Sequence, residues 1–248
     1  MAIRPIDIAR KLGISTTTLR KYEEFDLVPP VSRSSSGYRV YTNEHIAYFI
    51  CVQEMMAGFD LSQIAKTLKE VMAKKTDIAL WMANKAQADL QQEKKIFEKI
   101  ISNLGCNDQL RKKHPIIKTN HKLLTINDVS RETGVPTTTI RYWDKVGLIS
   151  SQRSTENNYR MFTSEHIKQI LTIYALKLAF KAKRHKHFIN LIKEELKEFG
   201  YNDRDRIIEM KIDIENYLNK VNRAQISSIA ALYHLCVQVD MNHFENYI

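Results

Sequence analysis

Glycine and proline are scarce in this 248-residue chain, at 7 and 5 residues. So few turn formers exclude a β-rich or loop-rich protein. Lys, Glu, Gln, Leu, Ile and Ala dominate the long stretches, so the expected fold class is mainly α, with few strands. Cysteine is nearly absent: Cys51, Cys106 and Cys236 stand apart, without a C-x-x-C or a Cys/His cluster. That pattern excludes a disulfide framework and fits a reducing, cytoplasmic compartment. No run approaches the roughly 18 apolar residues of a membrane span. The opening MAIRPIDIARKLGIS has neither an apolar core segment nor a small-residue cleavage site, so no secretory leader is expected. Phosphate loop, H-E-x-x-H and glycine-rich dinucleotide turn are all missing, which argues against an enzyme, a cofactor or a metal. The eight histidines are scattered, and His114, His121, His185 and His187 form no ligand set.

What the chain does have is positive charge, unevenly placed. Lys plus Arg number 38 against 28 acids, a net charge of +10. Residues 1–75 carry 11 bases and 8 acids (+3), and 76–110 carry 4 and 5 (−1). Residues 111–197 carry 18 and 7 (+11), and 198–248 carry 5 and 8 (−3). A segment of +11 attracts polyanions through steering and counterion release, although a solvated basic face has the same composition.

The chain also contains itself twice. Residues 8–46 written over 129–167, an offset of 121 with no gap, agree at 13 of 39 columns. Thr16-Thr17-Thr18 falls on Thr137-Thr138-Thr139, and Tyr38-Arg39 on Tyr159-Arg160. Other columns match in kind, among them Leu19/Ile140, Tyr22/Trp143 and Tyr41/Phe162. Such internal self-similarity means a repeated structural unit.

Each copy reads as the same small unit. Pro5 suits the first turn of a helix to about Leu12, with Ile8 and Leu12 on one face. Gly13 breaks it, and Ser15 (Pro136 in the second copy) begins a second helix, about 16–25 and 137–146. Helix, glycine turn and helix make a helix-turn-helix. Pro29-Pro30 and Tyr38-Arg39-Val40-Tyr41 then suggest a hairpin with its tip at Ser35-Ser36-Gly37, or at Asn157-Asn158 in copy two. Thr42 and Thr163 cap a third helix, and the shared His45 and His166 read as structural or phosphate-facing. Phe59 and Phe180 are placed in a turn before a fourth helix, Leu61–Leu68 and about Lys183–Phe199. Long apolar stripes follow, from Leu68 to Leu104 and from Arg204 to about Val239, with the coiled-coil spacing that suggests helix pairing along one seam. Cys51 and Cys236 read as buried helix positions.

The residues G-x-S-x-x-T-L-R-K-Y-E, L-V-P-P, S-G-Y-R-V-Y-T-N-E-H-I and A-G-F-D-L-S-Q-I resemble the MerR family of bacterial transcription regulators across residues 3–72. Residues 124–193 resemble a second, more divergent MerR-type domain. The resemblance implies tandem winged helix-turn-helix domains, each followed by a long helix. The corresponding boundaries are 1–75, a long dimerisation-type helix at 76–104, a basic linker at 105–122, a second domain at 123–199, and a C-terminal long helix and tail at 200–248. It also implies double-stranded DNA as partner, homodimerisation through the long helices, and action at a promoter with RNA polymerase.

By the same resemblance the second helix of each unit is the recognition helix, with Thr16, Thr17, Arg20 and Lys21, and Thr137, Thr138, Arg141 and Tyr142, facing DNA. Tyr22 matches a tyrosine touching the DNA backbone, while its periodicity equally permits core packing. Arg39 and Arg160 match the wing signature and are expected to clamp phosphates, with Tyr38 and Tyr159 open between core and DNA. Arg33 and Arg153 lie on the wing at unmatched columns, and Lys183 adds a basic contact. Copy two lacks the Pro-Pro pair and has Asn158 for the wing glycine, yet it carries most of the charge, so both copies are expected to bind DNA. The function expected is a sequence-specific regulator that inserts recognition helices in the major groove and distorts the duplex. An architectural, nucleoid-type DNA binder and a protein-interaction module on the same fold are the alternatives. Two copies in one chain can also imitate the two half-sites of a conventional dimer.

Overall fold

The computed structural model describes residues 3–103, 123–154, 157–183, 189–198 and 204–247. The expected linker, Cys106, His114, His121, His185, His187 and the basic residues Arg111, Lys112, Lys113, Arg184 and Lys186 lie outside them. The elements of the first copy are α1 (Pro5–Leu12), α2 (Thr16–Glu24), β1 (Ser32–Arg33), β2 (Arg39–Val40), α3 (Asn43–Met55), α4 (Leu61–Met72) and the long α5 (Thr76–Asn103). Those of the second are β3 (Leu124–Thr125), α6 (Ile126–Thr133), α7 (Thr137–Lys145), β4 (Gln152–Arg153), β5 (Arg160–Phe162), α8 (Ser164–Ala182), α9 (Ile189–Glu198) and the long α10 (Arg204–Asp240). The fold is therefore predominantly helical, with two small antiparallel sheets and a long helix trailing each winged helix-turn-helix domain. The chain divides into two compact units, residues 1–89 with 219–248, and residues 90–218.

In the first unit, α1 starts on Pro5, whose missing N–H would have no helical partner anyway, and stops at Gly13 (φ 65°). The Ser15 Oγ accepts the N–H of Thr18 at 3.0 Å, capping α2. The third helix opens on Thr42, whose N–H donates to Nδ1 of His45 at 3.1 Å. His45 is thus structural, a helix-start ring 5% exposed, and burial holds its pKa below the ordinary histidine value. Ile8, Leu19, Leu27, Ile46, Phe49, Met55, Ile64 and Leu68 form the core, with the Tyr41 ring edge-on to Phe49. Each such side chain contributes on the order of 1.5–3 kcal/mol on burial. Ala79, Ala83 and Ala86 of α5, and Leu232, Leu235, Cys236 and Val239 of α10, join the same core. Cys51 and Cys236 are free and buried, and burial pushes the Cys236 thiol up to about 12.

The apolar stripe that begins at Leu68 is carried by two helices, α4 and α5. They are separated at 73–75, where Lys74 turns left-handed (φ 59°). Between α3 and α4, Gly58 lies against the backbone of α10: a Cβ there would stand 2.7 Å from the nitrogen of Gln225. Gln225 Nε2 donates to the Gly58 carbonyl at 3.2 Å, and Ser228 Oγ to that of Glu54 at 2.9 Å.

In the second unit, the sheet order is β3-β5-β4, and Leu124 pairs with Phe162. The first copy makes the same contact as an isolated bridge from Ile3 to Tyr41, 121 residues earlier. The Thr125 hydroxyl accepts the N–H of Asp128 at 3.2 Å to start α6, and Gly134 (φ 79°) ends it. Trp143 is buried edge-on to Tyr174, and Val129, Ile140, Leu148, Phe162 and Ile170 of this unit are buried too. Here α8 runs on through Phe180, so Phe180 is helical, unlike Phe59, and the fourth helix is described over Ile189–Glu198. The later half of α5 docks on this unit: Gln92 Nε2 donates to the Gly134 carbonyl at 3.0 Å, and Lys99 Nζ to that of Glu132 at 2.6 Å.

Both units contain a piece of each long helix. In the first, Thr76 Oγ1 donates to the Asp240 carboxylate at 3.0 Å, and Gln87 Nε2 to Gln225 Oε1 at 3.0 Å. In the second, Lys94 lies 3.7 Å from Glu215. In the first unit, numbers fall along α10 as they rise along α5, so the two pieces there run antiparallel.

Candidate nucleic-acid interface

The second helix of each helix-turn-helix is fixed by one apolar face and exposed on the other. Leu19 and Ile140 are fully buried, which turns Thr17, Arg20 and Lys21 outward on α2, and Thr138, Arg141 and Tyr142 outward on α7. Thr16 and Thr137, in the first helical turns, are half-buried. Tyr22 is half-buried with its ring 6.2 Å from that of Phe49, and burial raises its pKa. Trp143 in the same column lies wholly in the core, so this column serves packing first.

The wings are built alike, although the ungapped offset hides it. Arg33 pairs with Arg39 across the first hairpin, and Arg153 with Arg160 across the second. Arg153 therefore stands where Arg33 stands, one residue out of the 121 offset. Copy two has one residue fewer between Ile149 and Arg153, and one more between Ser154 and Tyr159. Arg33 donates to the Gly37 carbonyl and Arg153 to that of Asn158, each at 3.1 Å. Gly37 (φ 81°) and Asn158 (φ 58°) take the same left-handed turn, which asparagine tolerates. Tyr38 and Tyr159 are 75% and 69% exposed, on the solvent side and not in the core.

The arginines of the wing signature are already engaged. Nε of Arg39 donates to Glu23 at 2.7 Å, and Nε of Arg160 to Asp144 at 2.6 Å, in equivalent pairs. Glu23 and Asp144 lie near the ends of the recognition helices, so each pair ties wing to helix. The hydrogen bond from Arg39 to Glu23 raises the arginine's pKa. Burial of Asp144 disfavours its charge, but donors from Arg160 and Ser151 outweigh that and hold its carboxyl below the usual carboxylate range. The Ser151 hydroxyl donates to Asp144 at 2.9 Å, from the segment that replaces the Pro-Pro pair.

In the second copy these groups surround one concavity of about 530 Å³. Arg141 of α7, Arg153, Asn158, Tyr159 and Arg160 of the wing, and Thr125, Ile126 and Asn127 at the start of α6 line it. Arg141 and Arg153, beside an Arg160 already paired with Asp144, give this concavity the guanidinium donors that suit a phosphate. Thr125 and Asn127 escaped the sequence reading, although the T-x-x-D helix start was available as a signal. Lys183 instead faces Asp213 of α10 at 3.7 Å. Among the described residues no group of three or more His, Cys, Asp and Glu could hold a metal ion, and no helix is long and apolar enough to cross a membrane.

Two helix-turn-helix units with β-hairpin wings and basic outward faces define a tandem winged-helix protein. Comparison with known proteins makes the class specific. Residues 4–41 match the MerR family regulatory protein model, and residues 124–180 the MerR HTH family regulatory protein model. Two separate stretches, one in each copy, thus match MerR-type regulatory models, consistent with tandem MerR-type domains. It is 40% identical over 58 residues to the HTH-type transcriptional regulator CueR of Salmonella typhi, covering 23% of this chain and 42% of that protein. The CueR of Escherichia coli O6:H1 is 24% identical over 114 residues, 46% of this chain and 83% of its own length. The mercuric resistance operon regulatory protein of Bacillus cereus is 33% identical over 69 residues, 27% and 52% of the two chains. The chain thus spans less than half the length of the Salmonella relative it matches. No solved structure matches significantly.

Proposed function

We propose that the protein is a sequence-specific, double-stranded DNA-binding transcription regulator of the bacterial cytoplasm. The observation that carries this reading is the concavity in which Arg141 of the recognition helix meets Arg153, Tyr159 and Arg160 of the wing beside the start of α6. A helix of nine residues with one face exposed fits the major groove. Arg20 and Arg141 reach base edges or phosphates, the threonine hydroxyls hold backbone phosphates, and the wing tyrosines and arginines flank them. The regulators to which the chain is similar lend the transcriptional role. Acting beside RNA polymerase at a promoter, and bending or untwisting the duplex so that its deformability contributes to site choice, extend that reading. The homodimer read from the two apolar stripes loses support, because those stripes meet within one chain.

Gel shifts across a salt series test the reading. Binding is expected to persist at physiological salt for some sequence, with affinity falling steeply as salt rises. Loss of binding to every sequence below physiological salt would overturn it. Arg20→Ala and Arg141→Ala, made separately, are each expected to weaken binding by about tenfold. The +11 of residues 111–197 favours one competitor, an architectural binder, which would give equal affinity across unrelated sequences.

A further inference from the structure

Three observations bear on how the DNA target itself must be built. First, the seam of the long helices is filled from within. Each unit contains a stretch of α5 and a stretch of α10, joined in the first by Thr76 with Asp240 and Gln87 with Gln225, and in the second by Lys94 with Glu215. Second, Gly58 lies close enough to the Gln225 backbone to exclude a single methyl group, so the α10 seat on the first unit is a fitted one. A second chain would have to displace a partner tethered in the same molecule, at a local concentration on the order of millimolar. Third, the two recognition helices are unlike where they face solvent. Lys21 stands against Tyr142 and Glu24 against Lys145, all exposed, and the wing turns differ by one residue in length.

From these we infer that one chain supplies both reading heads, and that its target is a non-palindromic duplex site read in a single orientation. The inference rests on the DNA-binding reading above and specifies its ligand. A twofold dimer presents identical heads and therefore selects an inverted repeat. Heads differing at two exposed recognition-helix positions select two different half-sites. Lysine offers an ammonium to guanine O6 and N7 or to a phosphate. Tyrosine offers an apolar ring to a thymine methyl and a single hydroxyl. Exchange of Glu24 for Lys145 reverses the charge that the following turn of helix shows the backbone.

Selection of bound duplexes from a random pool tests this on the full chain, repeated with Lys21→Tyr and with Tyr142→Lys. Both positions are exposed, and circular dichroism checks that the variants fold. The expected motif has two unlike halves. Lys21→Tyr should change base preference by about tenfold in one half only, and Tyr142→Lys in the other only. An inverted repeat, or either variant altering both halves alike, overturns the inference while leaving DNA binding intact. Failure of the wild-type chain to retain any duplex at low salt overturns the DNA-binding reading instead.

Discussion

The first head closes its core with Tyr22 half-buried beside Phe49. The second puts Trp143 at the same column, wholly buried and edge-on to Tyr174. The first sets Pro29-Pro30 ahead of its wing and turns it on Gly37. The second uses Ser150-Ser151, bonds Ser151 to Asp144, and turns on Asn158. Divergence at the motif level therefore left the second head compensated rather than degraded. Where proline stiffness was lost, a hydroxyl donor to the carboxylate that holds Arg160 took its place. The helix-to-wing ion pair is common to both heads, and it explains how two such different loops carry equivalent wings.

Substitution at matched columns measures how far the equivalence goes. The largest effect is expected from Trp143→Ala, which should cost about 3–5 kcal/mol in denaturant unfolding, with Tyr22→Ala costing roughly half as much. Equal losses would mean that the two cores close alike. Next comes Gly58→Ala, which places a methyl group against the α10 backbone and should lower stability by about 1–3 kcal/mol. Its column partner is already Ala179, inside α8, so Ala179→Gly should cost only about 1 kcal/mol of helix propensity.

The wing arginines come third. Arg39→Gln and Glu23→Gln should each weaken DNA binding several-fold, with the double variant no worse than either alone. The slope of log affinity against log salt should stay unchanged, because the pair orients the wing. Exposed Arg33 or Arg153, replaced by Gln, should lower that slope by about 0.9. A phosphate role for Arg39 would show as a reduced slope in Arg39→Gln and tighter binding by Glu23→Gln.

The smallest effect concerns pH. Burial lowers the pKa of His45 in the folded state, so the unfolded chain takes up a proton more readily. The stability this confers is complete above about pH 6.5 and is lost as pH falls below it. Melting temperatures between pH 7.5 and 5.5 should drop more for the wild-type chain than for His45→Gln; parallel curves would remove His45 from the account.

Much of this was legible in the sequence because its signals are local. Pro5, Ser15, Thr42 and Thr163 mark helix starts, Gly13 and Gly134 mark ends, and the 121-residue offset reveals the second head. What escaped has physical reasons. The break at 73–75 contains no glycine or proline, so only the family resemblance placed a boundary there, and the left-handed turn at Lys74 could not be read. The wing register was hidden because a missing residue before the hairpin cancels an extra one within it. The partners of Arg39 and Arg160 lie sixteen residues away, beyond helical spacing, although an acid and an arginine recur at both columns in both copies. Which helix covers each apolar stripe was not legible either, because a stripe records that a helix is covered and not by what.

The stoichiometry of the DNA complex tests the central claim most directly. Native mass spectrometry of the full chain with its selected duplex should give one 28.9 kDa chain per duplex, with nuclease protection over both unlike half-sites. Two chains on one duplex, protecting an inverted repeat, would contradict it.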